Sequence, residues 1–321
     1  MARQTTFGTV VGAGREVTHG TEVARTTWRR VESITIERAA EHAGAGTFQG
    51  NALAAAHFDE VVQLREATKG MIRMPLDYHG MGLWLEAAFG AVADAGSGPS
   101  SYTHTYTHTR ALPPGLTLEI GRGNALTEEV YGAMASKASL EVAANGVGSL
   151  ELEIIAKTGQ TRASVSSPTH VTSYRVVGHH VGVVTFNAVT YTPTRVKLVI
   201  DNGLASVDEC GSLYTAPPER GAPFKVTFEL EFYANSTVGD ALYNAHLAKT
   251  ASNLTVTMTH PTEGYTIAIT LHGAICHTCT TPLTGGGGGL IKTSASFQGY
   301  ASGTDYGCAI VITNGQSSGI V

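Results

Sequence analysis

Charged side chains are scarce in this sequence of 321 residues. Asp, Glu, Lys and Arg make up 15% of it, well below the roughly 25% usual for soluble domains. The formal net charge is −5 and the basic residues form no extended run, which argues against a protein whose main task is to grip nucleic acid. The low charge, with 38 glycines and frequent Thr and Val, favours a β-rich protein with much of its surface covered by neighbouring subunits.

Long hydrophobic runs are also missing. No stretch approaches the roughly 18 apolar residues that a membrane-spanning helix needs. Residues 1–7, MARQTTF, lack the apolar centre of a signal peptide. We therefore expect the protein to be synthesised in a cytoplasm-like compartment and not to associate with a membrane. The cysteines Cys210, Cys276, Cys279 and Cys308 are then expected to be reduced thiols.

Motifs of enzyme active sites do not occur in the settings they require. No Gly-x-Ser-x-Gly pattern lies between a predicted strand and a helix, and the glycine run at residues 285–289 lacks the Gly-Lys-Ser/Thr ending of a phosphate-binding loop. Cys276 and Cys279 form one Cys-x-x-Cys pair without a second, and in an extended strand their side chains would point to opposite sides. The sequence therefore predicts no catalytic residues, no cofactor, no metal and no enzyme activity.

Alternation of apolar and polar residues is the strongest pattern present. In Lys225–Tyr233, apolar side chains occupy every second position and Glu229 and Glu231 lie among the others. Residues 149–154 repeat the pattern with Glu151 and Glu153. Both segments are typical of half-buried strands with an acidic outer face.

The order of the predicted elements repeats. In the first half, a strand at residues 71–78 precedes a helix at 80–89, strands at 102–109 and 116–121, and a long hairpin at 134–157. In the second half, the strand Lys225–Tyr233 precedes a helix at 237–248, strands at 254–260 and 265–272, and a long hairpin at 274–300. In this alignment, residues 106–109 correspond to residues 257–260. We predict a mainly β protein of two tandem β-sandwich or β-barrel units, each with one short helix and one long hairpin.

The predicted boundaries follow from this repeat. Residues 1–32 form an N-terminal arm, residues 33–165 the first unit and residues 166–321 the second. The segment 158–168, rich in Thr, Ser and Gly, is the predicted join. In the second unit, the strand region at 196–207 is broken by a turn at Asp201-Asn202-Gly203.

Five short segments occur in an informative order. They are Gly20-Thr21-Glu22, Val31-Glu32-Ser33-Ile34, Ser101-Tyr102-Thr103-His104-Thr105-Tyr106, Leu112-Pro113-Pro114-Gly115-Leu116-Thr117-Leu118-Glu119 and Ser136-Lys137-Ala138-Ser139-Leu140-Glu141-Val142. This series, over nearly the whole chain, resembles the major tail tube proteins of bacteriophages with long non-contractile tails. The resemblance is weakest for residues 158–224.

The resemblance implies a structural protein of the virion, assembled in the host cytoplasm, whose stacked rings form a hollow tail tube. Genomic DNA passes through the lumen during ejection without specific binding. The implied partners are further copies of the chain, the tape measure protein, and the tail terminator and tip proteins. With two fused units per chain, three copies would form one pseudo-hexameric ring, and a hexamer of chains is the alternative.

A lumen lined with carboxylates would repel DNA phosphates. The candidate lumen-facing residues are Glu60, Glu66, Glu151, Glu153, Glu229 and Glu231. Ordinary solvated strand positions, or ion pairs with neighbouring Lys and Arg, are the alternatives for these residues. Two other functions stay open: another virion component, at the tail tip or decorating the capsid, and a β-sandwich module that binds glycans or a host surface.

Overall fold

The computed structural model describes residues 9–45, 60–96, 101–123, 126–162, 164–166, 175–178, 182–210, 212–234, 236–281, 291–300 and 307–319, which form 21 strands and two helices. The first half contains β1 (Thr9–Arg15), β2 (Thr27–Arg30), β3 (Ser33–Ile34), β4 (Glu37–Ala45), β5 (Glu60–Pro75), α1 (Gly82–Phe89), β6 (Gly90–Ala95), β7 (Tyr102–His108), β8 (Leu116–Arg122), β9 (Leu126–Ala143), β10 (Ser149–Ala156) and β11 (Thr158–Arg162). The second half contains β12 (Gly182–Phe186), β13 (Val189–Tyr191), β14 (Pro193–Asp201), β15 (Leu204–Val207), β16 (Ala216–Arg220), β17 (Lys225–Tyr233), α2 (Ser236–Leu247), β18 (Ala251–Thr259), β19 (Thr266–Thr280), β20 (Lys292–Gln298) and β21 (Cys308–Asn314).

Strand β9 belongs to two sheets. Its first part, residues 126–133, pairs with β8 and β11, and β8 continues through β1 to β2. Its second part, residues 134–143, pairs with β10, which continues to β5 and then to β3 and β4. The two parts meet near Gly132, whose φ of 64° lies in the left-handed region that glycine tolerates best.

Strand β19 has the same role in the second half. Its first part pairs with β18 and β21, and β18 continues through β12 to β13. Its second part pairs with β20, which continues to β17 and β14. The sequence predicted separate strands on either side of Gly273, and this prediction is wrong. Gly273 has a φ of 53°, so the strand bends there without ending.

The two halves are joined edge to edge. Strands β9 and β14 pair over seven residues, from Arg195 opposite Ala143 to Asp201 opposite Lys137. This pairing produces one long antiparallel sheet in the order β4-β5-β10-β9-β14-β17-β20-β19, with β3 in line with β4. We call the sheets β2-β1-β8-β9-β11 of the first half and β13-β12-β18-β19-β21 of the second half the outer sheets. At a second junction between the halves, β7 pairs with β21, so the hairpin of β6 and β7 extends the outer sheet of the second half.

The core follows from the alternation in the sequence. On β17, Val226, Phe228, Leu230 and Phe232 are all at most 2% exposed, and the same holds for Leu150, Leu152 and Ile154 of β10. Burying a side chain of this size contributes roughly 1.5–3 kcal/mol, so the register that places these residues inward is strongly favoured. The prediction of a mainly β fold is confirmed.

The two helices lie close to their predicted positions. Every residue of α1 is buried, and its C-terminus is capped by Gly90 in the left-handed conformation, whose N–H donates to the carbonyl of Glu86. In α2, Leu242 and Ala245 face the core, whereas Tyr243 and Leu247 are 50% and 62% exposed. Across the described parts of the chain, no helix has the length and apolar character needed to cross a membrane.

Two predicted boundary segments contain paired strands. Within the predicted N-terminal arm, β1 pairs with both β2 and β8. Within the predicted join, β11 pairs with β9. Both segments therefore form part of the outer sheet of the first half.

Candidate functional site

The side of the long sheet that points away from the sandwich core carries most of its charged residues. We refer to this surface as the charged face. Its residues are placed by the cross-strand register, which puts directly opposed residues on the same side of a sheet. Eight acids and eight bases share this side: Glu37, Glu41, Glu141, Glu151, Glu153, Asp201, Glu229 and Glu231, with Arg65, Lys69, Arg73, Lys137, Arg195, Lys197, Lys225 and Lys292.

Opposite charges face each other across neighbouring strands of the charged face. The opposed pairs are Glu37–Lys69, Glu41–Arg65, Glu151–Arg73, Glu153–Lys137, Asp201–Lys137, Asp201–Lys225, Glu141–Lys197, Glu229–Lys197 and Glu231–Arg195. Among the described residues of this face, no two like charges are directly opposed. Each exposed pair is worth only about 0.2–1 kcal/mol, so the main consequence is local cancellation of charge.

Arg195 lies at the centre of the densest group of ion pairs. Its Nε is 2.7 Å from Oε1 of Glu141, and its Nη1 is 3.2 Å from Oε1 of Glu231 and 3.8 Å from Oε2 of Glu229. The hydrogen bond from Arg195 lowers the pKa of the Glu141 carboxyl, and the same bond raises the pKa of the Arg195 guanidinium. Because Arg195 is on β14, Glu141 on β9 and Glu231 on β17, this group crosses the junction between the two halves.

Four of the six acidic residues singled out in the sequence lie together on the charged face. They are Glu151 and Glu153 on β10, and Glu229 and Glu231 on β17. Glu66 projects from the other side of β5, where it forms an ion pair with Arg38 at 3.0 Å and accepts a hydrogen bond from Thr158. Glu60 is the first residue of β5, and its side chain lies outside the described part of the structure.

The expectation of an acidic outer face needs correction. Each acidic strand is flanked by a strand that supplies bases, so the face as a whole is balanced. The alternation within a single strand does not reveal that Lys137, Arg195 and Lys197 belong to the same face as these acids. Their alternation along residues 137–141 and 193–201 was visible, but their position opposite the acids depends on the register.

The comparison with protein families agrees with this architecture. The family model described as phage tail tube protein matches residues 1–299. The chain belongs to the phage tail tube protein family. The comparison with curated proteins gave no match. The tail tube protein is thus a structural component of a phage tail, and its family is one of virion proteins that self-assemble with other tail proteins.

The Cys-x-x-Cys segment of the tail tube protein differs from its prediction. A β-bulge between Cys276 and Thr278 adds one residue to β19, so Cys276 and Cys279 both point toward the core. Cys276 is 1% exposed and burial raises the pKa of its thiol to about 12, while Cys279 packs against the core from the sheet edge. Among the described residues, no group of three or more His, Cys, Asp or Glu side chains is arranged to hold a metal.

The histidines of β7 are packed inside the protein. His104, Tyr106 and His108 share the buried side of the strand. The His108 ring stacks on Phe224 with 3.5 Å between ring centroids, and its Nε2 accepts a hydrogen bond from Arg220 at 2.9 Å. Burial, and to a lesser degree the Arg220 charge, lowers the pKa of His108 to about 4.

A cluster of buried charges holds the segment between β1 and β2. Glu119 and Glu129 face each other on β8 and β9, and both side chains are 0% exposed. Arg25 forms ion pairs with both carboxylates, with Nε 2.9 Å from Oε2 of Glu119, and Arg162 approaches them at 3.3 and 3.0 Å. Removing Arg25 would leave two buried carboxylates with only Arg162 to compensate them.

Proposed function

We propose that this tail tube protein assembles into rings that stack into the hollow tail tube, and that DNA passes through the lumen during ejection. The role is structural and not catalytic. The family match and the long sheet that runs through both halves support this proposal. A sheet of this width, shared by two sandwiches, is suited to becoming one sector of a closed barrel, in which no strand edge stays exposed.

The strand pairings support two tandem units. Seven pairings in the first half have a counterpart in the second: β1–β2 with β12–β13, β1–β8 with β12–β18, β3–β5 with β14–β17, β5–β10 with β17–β20, β8–β9 with β18–β19, β9–β10 with β19–β20, and β9–β11 with β19–β21. This matching changes one detail of the sequence alignment. Strand β18 corresponds to β8, and not to β7, so residues 257–260 do not correspond to residues 106–109.

Local irregularities match as well. β9 has a bulge between Ala135 and Lys137, and β19 has one between Cys276 and Thr278. Three residues before each bulge stands a glycine with positive φ, Gly132 and Gly273. We retain residues 33–165 and 166–321 as the two units, and the match of β1–β2 with β12–β13 adds the described part of the N-terminal arm to the first.

Three copies of a two-unit chain would complete a pseudo-hexameric ring, with a hexamer of chains as the alternative. Edge-to-edge pairing between copies would satisfy the backbone groups at both ends of the long sheet. The remaining partners are the tape measure protein and the terminator and tip proteins of the tail. Assembly takes place in the host cytoplasm, and these partners follow from the family alone.

In this tube, the charged face lines the lumen. Glu151, Glu153, Glu229 and Glu231 would then meet the DNA, together with the bases opposite them. Seven of the eight bases have a carboxylate directly opposite on a neighbouring strand, and the eighth, Lys292, lies opposite Tyr233. Phosphates therefore encounter no row of uncompensated cations, and the affinity that grows with each neutralised phosphate does not accumulate. A wall of alternating charge thus lets DNA slide without specific binding.

Electron microscopy of the purified protein in negative stain tests this function. We expect hollow rings with three-fold symmetry or polymerised tubes at high protein concentration. A chain that stays monomeric and featureless under all conditions contradicts the proposal. In purified virions, the protein should form the dominant tail band, whereas a tip protein would be present in few copies and a decoration protein would remain with the capsid.

A further inference from the structure

The long sheet ends in two strand edges. At one end are β3 and β4, and at the other is the second part of β19. Among the described residues, β3 and β4 pair with β5 alone, and residues 276–280 of β19 pair with β20 alone. Exposed edges of this kind are templates for a further strand.

The junction inside the chain shows how such edges can be joined. Where β14 covers the edge of β9, Ala138 and Leu140 are only 1% and 3% exposed. They lie opposite Ile200 and Leu198, which are 0% and 1% exposed. In the order of strands across the long sheet, β9 is the last strand of the first unit and β14 is the first strand of the second unit. The β9–β14 junction is therefore a well-packed pairing of two sheet edges.

Matching the two bulges assigns the corresponding residues of the outer edges. Ala135 then corresponds to Cys276, so Ala138 corresponds to Cys279 and Leu140 to Thr281. The same correspondence matches β5 with β17, so that Thr68 corresponds to Val226. Their partners on the next strand, Arg38 of β4 and Ile200 of β14, then correspond to each other. Three of the four counterparts are less buried than the junction residues, since Cys279 is half-buried and Thr281 and Arg38 are exposed. The fourth, Ile36, corresponds to Leu198 and is 2% exposed. At the other three positions, the lower burial is that expected for a junction with its second strand missing.

The β3–β4 edge also borders open space. A groove of about 550 Å³ lies along it, lined by Ile36, Arg38 and Ala40 on one side and by Arg122, Leu126 and Glu128 on the other. The groove is on the core side of the sheet, which is also the side that Cys279 faces. A strand arriving at this edge would close the groove.

We propose that the partner of each edge is a second copy of this chain, paired in the register of the β9–β14 junction. Residues 37–39 of one copy lie antiparallel to residues 278–280 of the next, with Arg38 opposite Cys279 and Ala39 opposite Thr278. This inference rests on the proposed function, because it uses the correspondence between the two tandem units. It goes further by specifying which two edges pair and in which register.

Thiol cross-linking tests the register. In a Cys210→Ser background, which removes the exposed cysteine, Arg38→Cys places a thiol across from the native Cys279. A short bifunctional thiol reagent should link copies into dimers and trimers on a denaturing gel. Directly opposed residues have Cβ atoms about 4.5–5.5 Å apart, so a short reagent spans the pair without requiring disulfide geometry.

Two matched variants control the experiment. Ala39→Cys is one residue away and projects to the other side of the sheet, so it should give at least tenfold less cross-linking. Adding Cys279→Ser to Arg38→Cys should abolish the product. Strong cross-linking of Ala39→Cys, or a product that survives loss of Cys279, overturns the proposed register.

A second measurement leaves both edges unchanged. In the Cys210→Ser parent, Cys276 and Cys308 are buried, so maleimide labelling reports on Cys279. We expect labelling to slow at least tenfold when the protein assembles. Particles in the microscope with Cys279 still labelled at the monomer rate would overturn this inference and leave the proposed function standing. A parent that never assembles contradicts both.

Discussion

Asn202 is a polar residue that joins the two halves, and its replacement gives a quantitative test of the junction. Its side chain is 0% exposed, and Nδ2 donates to the carbonyls of Ala88 and Ala135, each at 2.9 Å. Its backbone N–H donates to the carbonyl of Ser136. Ala88 lies in the last turn of α1, where carbonyls have no partner within the helix. One side chain thus satisfies a helix end and a strand next to its bulge.

The expected cost of Asn202→Ala follows from these contacts. Each buried carbonyl left without a donor costs about 1–3 kcal/mol. Asn202 Oδ1 is itself buried without a partner in the described structure, so its removal returns part of this cost. We expect a net loss of about 2–4 kcal/mol in the free energy of unfolding. Asn202→Asp keeps the size and removes both donors, and should be at least as destabilising at pH 7.

Urea denaturation followed by circular dichroism measures this change. Asn244→Ala is the matched control, because Asn244 is exposed on α2 and its replacement should shift the unfolding free energy by no more than about 0.5 kcal/mol. A loss below about 1 kcal/mol for Asn202→Ala would refute the reasoning, since it would mean that the two carbonyls find other donors.

Three further changes probe the buried charges, the histidine and the sheet edge. Arg25→Met should cost about 3 kcal/mol in unfolding free energy, because it leaves Glu119 and Glu129 buried with less compensation, and chemical denaturation measures it. His108 is kept neutral by the fold, so stability should fall as pH drops from 6.5 toward about 4, by at most about 3 kcal/mol, and His108→Gln should flatten that dependence in thermal melts. Gly70→Ala should lower the melting temperature and cost about 1–3 kcal/mol, because a Cβ there would overlap the backbone of Thr35 and Ile36, between β3 and β4.

Each of these changes has its own control. Adding Glu119→Gln and Glu129→Gln to Arg25→Met should restore part of the lost stability, and no recovery would mean that charge is not the cause. An unchanged pH profile in His108→Gln would assign the acid sensitivity to other groups. Gly239→Ala adds a Cβ with nothing within 4 Å and should not destabilise, since alanine is the better helix former.

Strands with one buried side were predictable from the sequence. Lys225–Tyr233 was predicted with the bounds that β17 has, because each second residue is large and apolar and a shift by one would expose all of them. The helices were also found close to their observed ends. These elements depend on local patterns that a single segment carries.

Features that depend on pairing were not predictable. Gly273 resembles a strand end, yet β19 continues through it because its neighbours β18 and β20 hold both sides of the bend. The bulge after Cys276 reverses which side Cys279 faces, and nothing in the residues 276–279 signals it. The balance of the charged face likewise arises from register, because Glu141 meets Lys197 only once β9 and β14 are aligned.

The bend at Gly132 also has a mechanical consequence. Because β9 continues through it from the outer sheet into the long sheet, a single covalent segment is bonded to β8, β11, β10 and β14. The hydrogen bonds of antiparallel strands lie across the strand direction, so tension along β9 loads all of them in shear at once. Neither sheet can slide past the other without breaking the whole set. In a tail built from this protein, β9 would thus resist bending or pulling, because it connects the two sheets covalently. Strand β19 would do the same in the second half of the chain.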